Sequence, residues 1–273
     1  MGPRHHAGSA PGRLPLVGLP GVAIRRAHGR CAGLGRRAGR ARHPAGRRVA
    51  RAPGPRLKPT TVYLVRHGSV VGAETRRFIG HLDVPLSPLG ERQMTALAGR
   101  LAEMRLDAVY ASDLQRARRS AEILAEPHGL TALAVPDLRE FALGRWEGLT
   151  VEQIRDLDGA ALAAWTADVA GYQFPEGESL AQLAARAWPA FERIVAGHAG
   201  GSVAIVAHGG TNRMILCRAL GLGVDRLLAL GQDYASVSVL GGSGERWTLR
   251  VLNHCEDPDL LALPPFDIHA PAK

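Results

Sequence analysis

The chain of 273 residues has no run of 18 or more apolar residues, which excludes a helix built to span a bilayer. Cysteine is scarce. Cys31, Cys217 and Cys255 are the only three, and no two of them form a CxxC pair. An odd and scattered count does not make a disulfide framework, so reduced thiols in a cytoplasmic protein are expected. Acid is missing from one end: residues 1–58 carry 13 arginines and Lys58 but no aspartate or glutamate. The remaining residues carry 20 basic against 25 acidic side chains. The net charge of +9 therefore joins a strongly basic leader to a mildly acidic body. Any argument from charge to nucleic acid concerns the leader alone.

Glycine, proline, alanine and arginine dominate residues 1–58, and the prolines and glycines interrupt every candidate helix or strand. Such a segment buries too little to offset its ordering entropy, so disorder is expected. Its composition fits a basic arm for nucleic acid or anionic lipid, an arginine-rich targeting peptide, or a stretch with no role; it favours the last. No signal-type apolar core follows Arg25-Arg26, so export is not expected.

From Thr60 the character changes. Short apolar runs at residues 61–65, 108–111, 131–135 and 202–207 read as buried strands, and 236–240 and 247–252 fit two later ones. Ser87-Pro88 opens a helix on which Met94, Leu97, Ala98 and Leu101 recur at helical spacing. A second helix runs through Ile123-Leu124. Thr150 with Gln153, and Ser179 with Gln182, fit capping boxes that start two more. A last helix runs from Gly209-Gly210 to Leu220. Strands alternating with helices predict an α/β fold, a three-layer sandwich whose largely parallel central sheet is flanked by helices. One domain over 59–260 with a tail at 261–273 is the economical division.

Chemistry-bearing residues collect where strands end. Arg66-His67-Gly68 follows the first strand, and His208-Gly209-Gly210 follows the fourth. Ligands in open α/β sheets bind beyond the carboxyl ends of strands. Glycine beside each histidine lets a ligand come close to the backbone. After the second strand, Ser112-Asp113-Leu114-Gln115-Arg116-Ala117 places Arg116 in the first turn of a helix, where a cation is poorly placed without an anion nearby. Arg118 and Arg119 fit solvated surface positions. A fourth segment, residues 138–148, is a loop mixing charge, aromatics and glycine and containing Arg139, Glu140, Trp146 and Glu147.

In this order, these four segments resemble the histidine phosphatase superfamily, whose members are phosphoglycerate mutase-like in fold. The resemblance covers residues 61–253. It implies that His67 is the nucleophile forming a phosphohistidine and that Glu140 is the acid that protonates the leaving group. It further implies that Arg66, Arg116, His208 and Gly209 hold the phosphoryl group, with no metal and no cofactor. A carboxylic acid beside an anionic phosphate is expected to have a raised pKa. Glu147 is structural in the family pattern. Where many members continue Arg-His-Gly with Glu-Thr, this chain has residues 69–75. It then returns to Arg77-x-x-Gly80-x-x-Asp83-x-Pro85-Leu86-Ser87, similar to α-ribazole phosphatases and broad-specificity relatives.

The expected activity is hydrolysis of a small phosphate monoester, of the α-ribazole 5′-phosphate type. Two alternatives stand beside it. A cofactor-dependent phosphoglycerate mutase would carry an Arg-Arg-Ser-Tyr-Asp segment that is missing between Trp146 and Ser179. A silent phosphate-binding domain is disfavoured because the five expected side chains are all present. The partner is a small phosphate ester; nucleic acid enters only through the leader, and a homodimer is left open. His81 packs or caps locally rather than touching substrate, and Trp146 is a packing residue. Trp165, Tyr172 and Phe174 either cover the pocket or form a satellite core. His254 and Cys255 lack further ligands at metal-binding spacing.

Overall fold

In the computed structural model, residues 58–244 and 246–255 are described. The expected leader (residues 1–58) except Lys58, and the expected tail (261–273), lie outside the described residues, and Cys31 with them. Six strands form one sheet: β1 (Thr60–Arg66), β2 (Ala108–Ala111), β3 (Ala132–Ala134), β4 (Ser202–Ala207), β5 (Val237–Ser243) and β6 (Arg246–His254). The order is β3-β2-β4-β1-β5-β6. The pairings among β3, β2, β4 and β1 are parallel, while β5 pairs antiparallel with β1, and β6 antiparallel with β5. The sheet is therefore mixed, with a parallel part that carries the site. Two residues separate β5 from β6, too few for the crossover that parallel strands require.

Alternation along the strands feeds two layers. Val62, Leu64, Val203 and Ile205 face one side, where they pack with Leu183, Phe191, Met214 and Ile215 of α4 (Leu180–Gly197) and α5 (Gly209–Leu220). Val65, Val109, Ala204 and Val206 face the other, against Met94, Leu97, Ala121 and Leu124 of α1 (Pro88–Leu101) and α2 (Gln115–Ala125). Burial on both faces explains why these strands read as continuous apolar runs.

The helix starts match their sequence signals. Ser87 Oγ accepts from Gly90 N at 3.1 Å. Both capping boxes are present, Thr150 with Gln153 at the start of α3 (Val151–Ala167) and Ser179 with Gln182 at the start of α4. α3 breaks at Asp158, whose φ/ψ of −155°/69° is not helical; its carboxylate accepts from Ala161 N and restarts the helix. A third apolar cluster lies outside the two layers. Trp146, Ile154, Leu162, Trp165 and Phe174 are its buried members, with Phe78 and Tyr172 packed on them. Trp146 meets Phe78, Trp165 and Phe174 edge-to-face at centroid distances of 5.6, 5.8 and 5.3 Å. Each such pair contributes about 0.5–1.5 kcal/mol beyond area burial.

Candidate active site

The register of β1 on β4 pairs Arg66 with Ala207, so the next residues, His67 and His208, leave adjacent strand ends side by side. Their ring centroids are 5.1 Å apart. β2 lies on the other side of β4, with Ala111 opposite Val206, so α2 brings Arg116 to the same edge. Three chain segments far apart in sequence thus converge because β4 sits between β1 and β2.

His67 is buried, and its Nδ1 lies 2.8 Å from Gly68 O. A carbonyl only accepts, so Nδ1 carries the proton and Nε2 the lone pair. Burial, then the positive charges of Arg116 and Arg66, hold its pKa well below the usual histidine value. His208 is 1% exposed, and among the described residues neither ring nitrogen has a hydrogen-bond partner. Its pKa is lowered for the same reasons, burial first and Arg116 next. Both imidazoles are neutral at physiological pH.

Arg116 is buried, and its guanidinium donates to Leu82 O at 2.9 Å and Gly80 O at 2.6 Å. That ties two of its five N–H groups and fixes the fork. The loop at residues 80–82 is held by Glu147, whose two oxygens accept from Gly80 N, His81 N, Leu82 N and Leu143 N at 2.7–3.1 Å. Glu147 thus acts on the site through this loop and Arg116. Asp83 accepts from Gln115 N at 2.7 Å and supplies the cap that Leu114 cannot. Arg118 and Arg119 pair with surface acids, Glu122 for the first and Glu91 and Glu122 for the second.

Glu140 lies at the start of α5. Its carboxyl accepts from Phe141 N at 3.0 Å, Gly210 N at 2.7 Å and Thr211 N at 3.1 Å, so here it is wholly an acceptor. Gly210 must be small: a Cβ there would stand 2.5 Å from Glu140 Oε1. A Cβ on Gly209 would stand 3.6 Å from Arg66 Nε, which sets this first residue of α5 beside the same guanidinium. His81 Nε2 lies 2.9 Å from Glu140 O, a contact across 59 positions rather than the local one expected for it.

A match to the sequence model of the histidine phosphatase superfamily (branch 1) spans residues 62–254. The chain belongs to this superfamily. It is 34% identical over 209 residues to phosphoglycerate mutase-like protein 4 of Arabidopsis thaliana, covering 73% of this chain and 89% of that protein. A mycobacterial glucosyl-3-phosphoglycerate phosphatase superposes with a TM-score of 0.65 at 36% identity, over 71% of this chain and 98% of that one. The α-ribazole phosphatase of Shigella flexneri superposes with a TM-score of 0.65 at 26% identity, over 71% of this chain and 96% of that one. Among the described residues, no helix is long and apolar enough to cross a membrane.

In this superfamily member the tertiary structure brings to the candidate residues further side chains that belong to no motif in the sequence. Tyr234 lies in the loop before β5, and Arg66 Cζ stands 4.0 Å over its ring. The same ring lies 5.6 Å from that of His67, and Arg66 also donates to Gln232 O. Asn253 on β6 braces the loop: its side chain accepts from Asp233 N at 2.7 Å and donates to the Asp233 carboxylate at 2.6 Å. Arg213 of α5 donates through Nε to Leu230 O, and burial with Arg66 nearby lowers its pKa to about 10. Beside Glu140 and Arg213 lies a cavity of about 200 Å³, walled in part by Trp165 and Phe174. These two aromatics therefore do both things expected of their segment, packing the satellite cluster and facing the cavity.

Proposed function

We propose that the chain is a metal-independent phosphomonoesterase that works through a phosphohistidine on His67. The observation that carries this reading is the neutral imidazole of His67, its Nδ1–H on Gly68 O and its Nε2 unprotonated, buried beside Arg66 and Arg116. A phosphate monoester brings about two negative charges at neutral pH. Arg66, Arg116, the ring of His208 and the backbone at Gly209 receive its oxygens, the guanidinium forks two at a time. Positive groups placed in advance stabilise a loose transition state, so the charge a metal would supply is already there.

The Nε2–P bond forms as the ester P–O bond breaks, and the departing alkoxide takes a proton from Glu140. A protonated Glu140 gives up one of its backbone contacts to turn its O–H toward the ester oxygen. Water then attacks phosphorus and returns its proton to Glu140 as the N–P bond breaks, which releases inorganic phosphate and restores neutral His67.

For substrate, the segment from Arg77 to Ser87 favours an ester of the α-ribazole 5′-phosphate type, and the similarity to an α-ribazole phosphatase and a glucosyl-3-phosphoglycerate phosphatase supports hydrolysis. His67→Ala is expected to abolish both turnover and acid-labile phosphoenzyme labelling. Surviving turnover with the label on another residue would overturn the assignment. A panel containing α-ribazole 5′-phosphate and 3-phosphoglycerate, read for phosphate release and for isomerisation, separates phosphatase from mutase.

A further inference from the structure

We infer that the cavity beside Glu140 is the leaving-group subsite, and that it selects monoesters whose alcohol carries an aromatic or branched aliphatic group, the aromatic base of an α-ribazole 5′-phosphate included, over phosphates of bare polyols and sugars. The inference rests on the phosphatase reading above and specifies the substrate class of that site.

Glu140 and Gly210 form part of the cavity wall, so the space adjoins the carboxyl that serves the departing oxygen. Nine of the twelve wall residues are apolar, among them Phe78, Phe141, Trp165, Phe174, Leu227 and Leu228. Part of the polar complement of the wall is committed already. Glu140 and the Gly210 amide are bonded to each other, and Arg213 Nε is bound to Leu230 O. A sugar or glycerol moiety would leave most of its hydroxyls facing the apolar residues of the wall, losing hydrogen bonds to water with little replacement. A phenyl or branched alkyl group loses nothing and buries apolar area.

The wall is also preformed. Phe78, Trp165 and Phe174 belong to the satellite cluster anchored on Trp146, and Phe141 packs edge-to-face on Phe174 at 5.9 Å. Its residues come from five segments: the loop at 78–79, the stretch 140–143, the stretch 165–174, the first turns of α5 with Gly210 and Arg213, and the turn at 227–228. His67, His208, Arg66 and Arg116 are not on this wall, so the cavity sets selectivity beside the phosphate pocket rather than within it. Leu228, 38% exposed, lies where the cavity meets solvent.

The test uses alcohols of similar basicity, so that chemistry is held constant and the body of the leaving group varies. Full-length protein is assayed with benzyl phosphate, 2-phenylethyl phosphate, glycerol 3-phosphate and glucose 6-phosphate. We expect kcat/KM about tenfold or more higher for the two aromatic esters, in the range that small apolar differences give in a fitted pocket. Leu228→Asp, at an exposed position that tolerates charge, is expected to bring that ratio close to one. Calorimetry with benzylphosphonate and methylphosphonate supplies a readout without turnover, and the benzyl compound should bind about tenfold tighter in a Leu228-dependent way. Hydrolysis of all four esters alike, or an aromatic preference that Leu228→Asp leaves intact, would overturn the subsite while keeping the phosphatase. No hydrolysis of any ester, with Leu228-dependent benzylphosphonate binding retained, would do the reverse.

Discussion

Lowering the pH from 7.5 to 5.5 should destabilise this protein through its two buried strand-end histidines. His67 and His208 are both buried, and Arg66 and Arg116 add positive charge around them. Their folded pKa values lie well below 6.5, whereas in the unfolded chain they return to about 6.5. As pH falls through 6.5, the unfolded state takes up protons that the folded state refuses, so stability is full above that value and drains away below it. For one histidine that stays neutral when folded, the change from pH 7.5 to 5.5 removes about 1.4 kcal/mol; the pair removes about 2.7 kcal/mol. Asp113, Glu178, Glu91 and Asp107 have lowered pKa values and titrate at more acid pH, outside this window. Urea titrations at half-unit pH steps measure the slope, and His208→Asn should halve it. A flat profile, or a slope that survives replacement of both histidines, would refute the electrostatic account of why His67 is neutral.

Tyr234→Ala removes the ring under Arg66, an interaction on the order of 0.5–2 kcal/mol, and should lower kcat/KM by about 2- to 30-fold while Tyr234→Phe stays near wild type. Loss of activity in both variants would mean that the hydroxyl rather than the ring matters. Gly68→Ala puts a Cβ 2.5 Å from Gly90 O, a backbone atom that cannot rotate away, and should cost about 1–3 kcal/mol in a thermal or urea melt. Glu140→Gln should slow alkyl phosphates by about 10²–10⁴-fold and spare a nitrophenyl ester, whose alcohol leaves without a proton; equal losses would argue against the acid role.

The elements were legible because their signals are local. Ser87, Thr150 and Ser179 cap helices with their own side chains, and apolar runs buried on both faces announce β1, β2 and β4. A capping bond or a strand's hydrophobicity depends on neighbours within a few residues, so one segment suffices to read it. The four motif segments were legible for a related reason, since each ends a strand or fills a loop at the same edge. The reversal of β5 and β6 was harder to see, because strand direction follows from the route of the connections rather than from composition.

By itself, the sequence determined the periodicities, the caps and the kinds of side chain that a phosphate-handling site needs. Only the tertiary structure decided that β4 lies between β1 and β2, which sets His67 5.1 Å from His208 and brings Arg116 to both. It also decided that Tyr234 stacks on Arg66, that Glu147 braces the loop holding Arg116, and that an apolar cavity adjoins Glu140. Tyr234 and Arg66 are 168 positions apart, and nothing near either residue requires the other. Their contact exists because strand order and register close the distance, and those are set by burying both faces of the sheet at once.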